Sequence, residues 1–403
     1  MACHLYLHPL LISMAQQFFF IYVAGFTSRN SLLRPIGFVL FLISTFVALL
    51  HFEDFVEPPG WVARTVASAF PQISLTYFER MVVRKIEYLD GRDKKQTAKP
   101  QSRLAYFRSR YVFGQEVASS MRGLGTPWEI RNIHHFDSKN PSYVPPSKFF
   151  VPMNMLKVVL CYFTHKLCIT TQLRLNQQYM TPEHVPVFRR LGEITLTELK
   201  VRYIATITTV VSIFCFIQGG YSLASAASVS INPEAVKDWR PIFGELTESY
   251  CLRRFWSTFW HQGLQNNLRG SATWIVNNVF RIRSYSLLSR YLKILIAFSL
   301  SGLVHVPSDM GSAVPAAKSG AIQFFASQLI GLMLEDVLGN MFNPLWKTRG
   351  TRVLARLLGY FWVITYLAWS GPVRWFPVIL KQTHETELLR LSAFKPLMKA
   401  LSC

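Results

Sequence analysis

Charged residues are scarce in this sequence: they make up 16% of its 403 residues, and hydrophobic residues make up 50%. Ordinary soluble proteins carry about 25% charged residues, so the composition excludes most water-soluble folds and favours an integral membrane protein. A repeat of fixed period, a low-complexity block and a Gly/Ser-rich linker are also missing. One membrane-embedded domain over residues 1–403 is the simplest prediction.

Cysteine is sparse and scattered. The six cysteines lie at positions 3, 161, 168, 215, 251 and 403, without a pair of CxxC motifs. We therefore expect reduced packing residues and no metal site. The first apolar stretch lacks a basic leader region and an obvious cleavage site, so we expect a retained anchor and not a removed signal peptide.

Long uncharged stretches predict the membrane spans. Several approach the roughly 20 residues that a spanning helix needs, and the apolar stretches 65–78 and 149–167 are candidates for further spans. We expect an all-α, multi-pass fold with about seven to nine transmembrane helices. The uncharged stretches lie within Pro9 to Arg29, Pro35 to Leu50, Tyr203 to Pro233, Ile294 to Ser308, Ser319 to Leu334 and Leu357 to Val373.

The formal net charge of +21 could indicate a nucleic-acid partner. The basic residues stand between hydrophobic spans and not on one polar domain, so we expect no nucleic acid and a positive-inside topology instead. Residues 79–148 form a basic loop, in which eleven lysines and arginines between Arg80 and Arg122 outnumber the acids. This loop is predicted to be cytosolic, and residues 53–57 are predicted to face the other side.

The first candidate site is the segment Phe255-Trp256-Ser257-Thr258-Phe259-Trp260-His261-Gln262, within the motif region 232–306. At about 100° per residue, Leu252 to Gln265 separates into a half rich in rings and a polar half with His261 near its middle. This predicts an amphipathic helix at the membrane interface or in a cavity wall. The alternative is a histidine that is merely solvated on an interfacial helix.

The second candidate is His305, inside the uncharged segment Ile294 to Pro307. A titratable group at membrane depth indicates function by default, and a neutral imidazole there can act as general base. Ser301, one turn earlier, is placed to orient the ring. A structural histidine bonded to a neighbouring helix is the alternative. His305 to Asp309 also matches the HxxxD pattern of soluble acyltransferases, but the usual following Gly and a DFGWG-like segment are missing.

Four stretches in order resemble membrane-bound O-acyltransferases. Phe255 to Gln262 is similar to the Phe-Trp-x-x-x-Trp-His-Gln form of their wax-synthase-like branch. The other three stretches resemble the fungal terpenoid and meroterpenoid O-acetyltransferases of that branch. These three are Arg122-Gly123-Leu124-Gly125-Thr126-Pro127-Trp128-Glu129-Ile130-Arg131-Asn132, Trp239-Arg240-Pro241-Ile242-Phe243-Gly244 and Ser301-Gly302-Leu303-Val304-His305.

The resemblance implies a helical fold around a buried reaction chamber and acyl transfer from acyl-CoA to a hydroxyl. The catalytic residues that it implies are His305, as the intramembrane base, and His261, where relatives carry Asn, Asp or His. Ser257-Thr258-Phe259 replaces the commoner Gly-Arg-Arg or Gly-Arg-Phe, which removes a basic residue. The residues expected to bind acyl-CoA are Arg253, Arg254, Trp256, Trp260, Gln262 and Gln265.

The reaction predicted from this resemblance is transfer of an acetyl group from acetyl-CoA to a terpenoid or meroterpenoid alcohol, in the endoplasmic reticulum membrane. Acetyl-CoA is then a co-substrate, and no permanently bound cofactor or metal is required. A long-chain acyl-CoA that forms wax or sterol esters stays open as an alternative. So do an inactive scaffold and a proton-coupled transporter, although transporters often show related halves and this chain shows no internal repeat.

The predicted topology can be tested by inserting glycosylation sites into each loop. A site inserted near Lys94 is expected to stay unmodified, because the basic loop 79–148 faces the cytosol. A site inserted near Glu57 is the control and is expected to be glycosylated. Glycosylation near Lys94 would overturn the assignment of sides.

Overall fold

The computed structural model describes residues 8–52, 54, 60–88, 102–342 and 349–382. Helices and turns make up this part of the chain, without a β-strand, which confirms the all-α prediction. The chain divides into two compact units, Met1–Arg131 with Gln262–Ser312 and Asn132–His261 with Ala313–Cys403. His305 therefore belongs to the first unit and His261 to the second, and the single domain over 1–403 stays a prediction.

The described residues of the first unit form six α-helices, two of which continue as π-helical turns. The π-helical turns are Phe78–Val83 after α3 and Ile275–Val279 after α8. The α-helices are α1 (Pro9–Phe26), α2 (Leu33–Leu50), α3 (Trp61–Tyr77), α4 (Arg103–Ser119), α8 (Gln265–Trp274) and α9 (Leu287–Met310).

In the second unit, the residues that the structure describes form two long helices, a short one at the start of the aromatic segment, and three further helices. Single 3₁₀ turns occupy parts of the connections between them. The α-helices are α5 (Ser147–Leu173), α6 (Leu196–Ile231), α7 (Leu252–Arg254), α10 (Ala321–Phe342), α11 (Arg349–Ser370) and α12 (372–382).

Six helical segments of the described chain are long and apolar enough to cross a membrane, so this is a multi-pass membrane protein. They coincide with the six uncharged stretches of the sequence. Helices α3 and α5 form where further spans were expected but do not join this group, so the count of seven to nine stays a prediction. The six segments are Pro9–Phe26, Leu33–Leu50, Leu196–Ile231, Leu287–Met310, Ala316–Gly339 and Val353–Ser370.

In the first unit, α3 runs antiparallel to α9 and parallel to α8. The Gly60 N–H donates to the Gly311 carbonyl at 3.3 Å, which joins the start of α3 to the end of α9. The Asn267 side chain of α8 donates to Thr76 Oγ1 at 2.8 Å, and one turn later Gly270 packs against Glu79. The axes of α3, α8 and α9 therefore run along a common direction, so the positions of side chains on these helices can be compared along it.

In the second unit, α5 and α6 form an antiparallel pair held by polar groups on apolar helices. Ser212 Oγ lies 2.9 Å from His165 Nδ1, and Gln172 donates to Thr208 and Thr209 at 3.2 and 3.1 Å. The start of α6 is fixed by Thr195, whose hydroxyl accepts from the N–H of Glu198 at 3.1 Å. This is a capping bond, which offsets an otherwise unsatisfied helix terminus.

Helices α10 and α11 are also antiparallel and approach each other closely. The Gly331 N–H donates to the Tyr366 hydroxyl at 3.0 Å, and Gln328 donates to Ser370 Oγ at 3.3 Å. A Cβ at Gly331 would collide with Leu252 and Tyr366. Glycine at this position therefore allows α7 to lie directly on α10.

The Glu335 carboxylate joins three parts of the second unit. It accepts the N–H of Leu252, the N–H of Arg253 at 3.0 Å and the indole N–H of Trp362 at 3.0 Å. Helix α7 has no side-chain cap of its own, so Glu335 supplies the acceptor that its first turn needs. One side chain thus links α7, α10 and α11.

Replacing Glu335 with Ala is expected to destabilise the protein, because three N–H donors lose their acceptor. The loss should be about 2 kcal/mol or more, measured as a lower midpoint of thermal unfolding of the purified protein in detergent. The unfolding midpoint of Glu335→Gln should lie between those of the wild type and Glu335→Ala, because the amide oxygen of glutamine can still accept a hydrogen bond. Val337→Ala, at an exposed position of the same helix, is the control. A midpoint for Glu335→Ala equal to that of the control would contradict the role assigned to Glu335.

Candidate active site

The aromatic segment is not one amphipathic helix, so the prediction for Leu252 to Gln265 is wrong. Helix α7 covers only Leu252–Arg254, a π-helical turn covers Phe255–Phe259, and Trp260 is extended with ψ 153°. Regular helix resumes at Gln265. Periodicity treats residues 252–265 as a regular helix, whereas here the chain turns away at Trp260.

Tertiary contacts replace the helical bonds where the segment breaks. The Phe259 carbonyl accepts from the Gly244 N–H at 2.9 Å, so it bonds to the segment Trp239–Gly244 and not onward along a helix. The Phe243 ring packs against Phe259 and Trp260, with centroids 6.1 and 5.6 Å apart. Ring packing and one backbone bond therefore outweigh the helical propensity of this short stretch.

His261 lies at the end of this aromatic cluster. Its ring centroid is 5.9 Å from that of Phe243 and 5.7 Å from that of Trp260, and part of its surface stays accessible. Desolvation by these neighbours lowers the pKa of His261 to about 4. The imidazole is therefore neutral at pH 7, with one N–H to donate and one lone pair to accept.

Arg253 and Arg254 are both ion-paired in the structure. Arg253 Nη2 lies 2.7 Å from Asp336 Oδ1, and Arg254 pairs with Glu248. The Arg254 guanidinium also lies 4.9 Å from the centroid of the Tyr250 ring. These contacts hold α7 in place; binding of CoA phosphates by the two arginines stays a prediction.

Trp256 is fixed by a polar contact as well as by packing. Its indole N–H donates to Gln328 Oε1 at 3.1 Å, and its ring packs against Phe324 and Phe325 of α10. The Trp260 ring stacks on Phe255 with centroids 5.4 Å apart. Both indole rings are therefore held in fixed orientations.

His305 lies on α9 in the first unit and is partly buried. Its Nδ1 lies 2.6 Å from the backbone carbonyl of Ser301. A carbonyl oxygen can only accept, so Nδ1 carries the hydrogen of this contact and the lone pair of the neutral ring is on Nε2. This tautomer is the one that a general base acting through Nε2 requires.

The structure groups the expected site residues by unit. In the second unit it brings together His261 and the four residues at 253, 254, 256 and 260. In the first unit, Gln265 begins α8, which packs against the helix that carries His305. Gln262 is 1% exposed, and its carbonyl accepts from the Gln265 N–H at 3.3 Å.

Sequence reasoning missed three residues that shape the site: Gln328, Glu335 and Phe243. The first two are polar residues on α10, within a segment apolar enough to span a membrane, and such residues usually mark function or essential contacts. That signal was available in the sequence. The position of Phe243 in the aromatic cluster depends on a tertiary contact, which no local pattern reveals.

The part of the chain that the structure describes holds no cluster of three or more His, Cys, Asp or Glu side chains suited to a metal ion. The candidate site residues offer imidazoles, amides, indoles and ion-paired arginines. Such a set can move protons and hold an apolar thioester.

Comparison with known proteins indicates acyl transfer. The Membrane bound O-acyl transferase family matches residues 239–327. The acetyltransferase fsoF of Humicola fuscoatra is 31% identical over 66% of this chain and 67% of its own length. The acetyltransferase ataH of Aspergillus terreus is 27% identical over 73% and 96%, and the acetyltransferase aurG of Calcarisporium arbuscula is 24% identical over 90% and 91%. No solved structure matches the chain.

The matched residues 239–327 include both candidate histidines and the segment Trp239–Gly244 that packs against His261. The similarity to the relatives extends well beyond this region: it covers 66% of this chain and 67% of fsoF, and 90% of this chain and 91% of aurG. The chain belongs to the membrane-bound O-acyltransferase family and is an acyltransferase, with relatives that are named as fungal acetyltransferases.

Proposed function

We propose that this enzyme transfers an acetyl group from acetyl-CoA to a hydroxyl of an apolar secondary metabolite, a terpenoid or meroterpenoid alcohol, in the endoplasmic reticulum membrane. His305 is the general base. The observation that carries this proposal is the bond between His305 Nδ1 and the Ser301 carbonyl, which puts the hydrogen of the neutral ring on Nδ1 and its basic lone pair on Nε2.

The reaction balances without a covalent enzyme intermediate. Nε2 of His305 takes the hydroxyl proton as the alcohol oxygen attacks the thioester carbonyl. The tetrahedral intermediate then expels the CoA thiolate, which receives that proton from the imidazolium. An alcohol that partitions into lipid reaches such a base directly from the bilayer, and this favours an apolar acceptor.

His261 is proposed as an assistant and not as a second base. Its pKa of about 4 keeps the ring neutral at physiological pH, where an N–H can stabilise the oxyanion or orient the thioester. Trp256, Trp260, Gln262 and Gln265 are each proposed to contact acyl-CoA. The acetyl donor is supported by the names of the relatives, several of which are acetyltransferases.

His305→Ala is expected to lower acetyl transfer by about 1,000-fold, because the base is lost. Microsomes that contain the protein would be supplied with labelled acetyl-CoA and a panel of terpenoid alcohols, with long-chain acyl-CoA in parallel. His51→Ala, an exposed histidine of the same unit paired with Asp54, is the matched control and should keep full activity.

Each outcome of that assay decides something. Full acetyl transfer by His305→Ala would remove the base assignment. Products only from long-chain acyl-CoA would replace the acetyl donor by a fatty-acyl donor. No transfer from any donor by the wild type would leave the proposed reaction without support and favour a scaffold or a transporter.

For substitutions of His261, the decrease in kcat should depend on whether the new side chain keeps a hydrogen-bond donor. His261→Ala is expected to lower kcat by roughly 100-fold, and His261→Asn to retain most of it. Because the wild-type ring titrates near pH 4, it stays neutral from pH 5.5 to 8, so His261→Asn should leave the acid side of the pH–rate profile unmoved. A shifted acid limb in His261→Asn would show that His261 titrates in that range and takes part in proton transfer.

A further inference from the structure

Arginines from separate segments of the first unit converge beside α8. Arg84 follows the π-helical end of α3, and its guanidinium pairs with the buried carboxylate of Glu79. Gly270 of α8 packs against the side chain of Glu79: a Cβ placed at position 270 would lie only 2.8 Å from Glu79 Cγ. Arg269, the neighbour of Gly270 in the chain, is therefore held at the level of the Arg84–Glu79 pair.

Arg131 reaches the same helix from the end of the loop that begins at Arg122. The loop is closed by the Ile130 N–H, which donates to the Arg122 carbonyl at 3.0 Å. It is fixed to α8 by the Asn266 side chain, which donates to the Trp128 carbonyl at 2.9 Å. A rigid loop thus presents Arg131 beside the helix that carries Arg269.

The cluster Arg84, Arg131 and Arg269 holds more positive charge than its surroundings neutralise. Among the residues that the structure describes, Glu79 pairs with Arg84, and no carboxylate pairs with Arg131 or Arg269. Burial, and then repulsion from Arg131 and Arg84, lowers the pKa of Arg269. Like charges held together cost electrostatic energy unless an anion binds, and guanidinium groups fit phosphate oxygens in a bidentate way.

The cluster stands far from His305 along the shared helix direction. His305 lies six residues before Gly311, about 9 Å along α9, and Gly311 is bonded to Gly60 at the start of α3. Arg84 follows Gly60 by 24 residues, or about 36 Å. The two sites are therefore separated by roughly 25 Å, so one ligand that reaches both must be long, with an anionic end and a reactive end.

We propose that Arg131 and Arg269, beside the Arg84–Glu79 ion pair, bind the phosphates of the acyl-CoA donor, whose pantetheine arm then extends along the first unit toward His305. This inference rests on the proposed function and deepens it. It assigns a role to the loop Arg122 to Asn132, which has no part in the chemistry at either histidine. The pattern of ion pairs also supports it, because Arg253 and Arg254 are each paired with a carboxylate and Arg131 and Arg269 are not.

The variants Arg131→Gln and Arg269→Gln test the proposal, because neither removes a carboxylate pair. Each should raise the KM for acetyl-CoA about tenfold with kcat little changed. Each should leave the rate with S-acetyl-pantetheine, which has no phosphate, unaltered. Arg269→Lys should recover part of the affinity. Arg108→Gln, at an exposed arginine of α4 in the same unit, is the matched control.

Binding can be measured without any acetyl transfer. Titration calorimetry with CoA should show about tenfold weaker binding to Arg131→Gln and Arg269→Gln than to the wild type or Arg108→Gln. On the unmodified protein, adenosine 3′,5′-bisphosphate should inhibit the reaction of acetyl-CoA competitively. That measurement stands even if a variant fails to fold.

The outcomes separate this inference from the proposed function. Weakened CoA binding in both variants, in a protein that transfers no acetyl group, would keep the phosphate site and remove the proposed reaction. Active variants with an unchanged KM for acetyl-CoA would remove the phosphate site and keep the reaction. Failure of adenosine 3′,5′-bisphosphate to compete would also count against the site.

Discussion

The second unit depends on the carboxylate of Glu335. An acid on a largely apolar helix is costly unless hydrogen bonds compensate it, and here two backbone N–H groups of α7 and the indole of Trp362 do so. The same contacts supply the cap that α7 lacks. Because α7 is only three residues long, it has almost no stability of its own, so its position on α10 depends on this side chain together with the Arg253–Asp336 ion pair.

Each histidine acquires its chemical character from its backbone and aromatic surroundings. Rings around His261 desolvate it and keep it neutral, which suits an N–H donor to developing negative charge. His305 is fixed instead by a carbonyl one turn earlier in its own helix, which selects the tautomer with a basic Nε2. Two imidazoles of the same chemical type are thus suited to different roles, and neither role needs a nearby carboxylate.

The sequence predicted the helical class and the six uncharged spans, because the cost of burying charge in lipid leaves a direct record in composition. Both histidines were chosen as candidates from the sequence, and their catalytic roles stay proposals. It was wrong about a continuous helix from Leu252 to Gln265, because periodicity assumes that local bonds persist, whereas Gly244 takes the Phe259 carbonyl. The ion pairs of Arg253 and Arg254 could not be predicted either, since their partners Asp336 and Glu248 are chosen by the tertiary fold.

The ion pairs of Arg253 and Arg254 also affect which arginines of this basic chain can bind a phosphate. An arginine that already has a carboxylate partner gains little from a phosphate, because the new contact must replace an existing one. Arg131 and Arg269 have no such partner among the described residues, and desolvation, followed by repulsion from Arg131 and Arg84, lowers the pKa of Arg269. A net charge of +21 therefore does not describe the binding capacity of this protein. What matters is which guanidinium groups the fold leaves without a carboxylate; Arg131 and Arg269 of the first unit are among them, whereas Arg253 and Arg254 of the aromatic motif are paired.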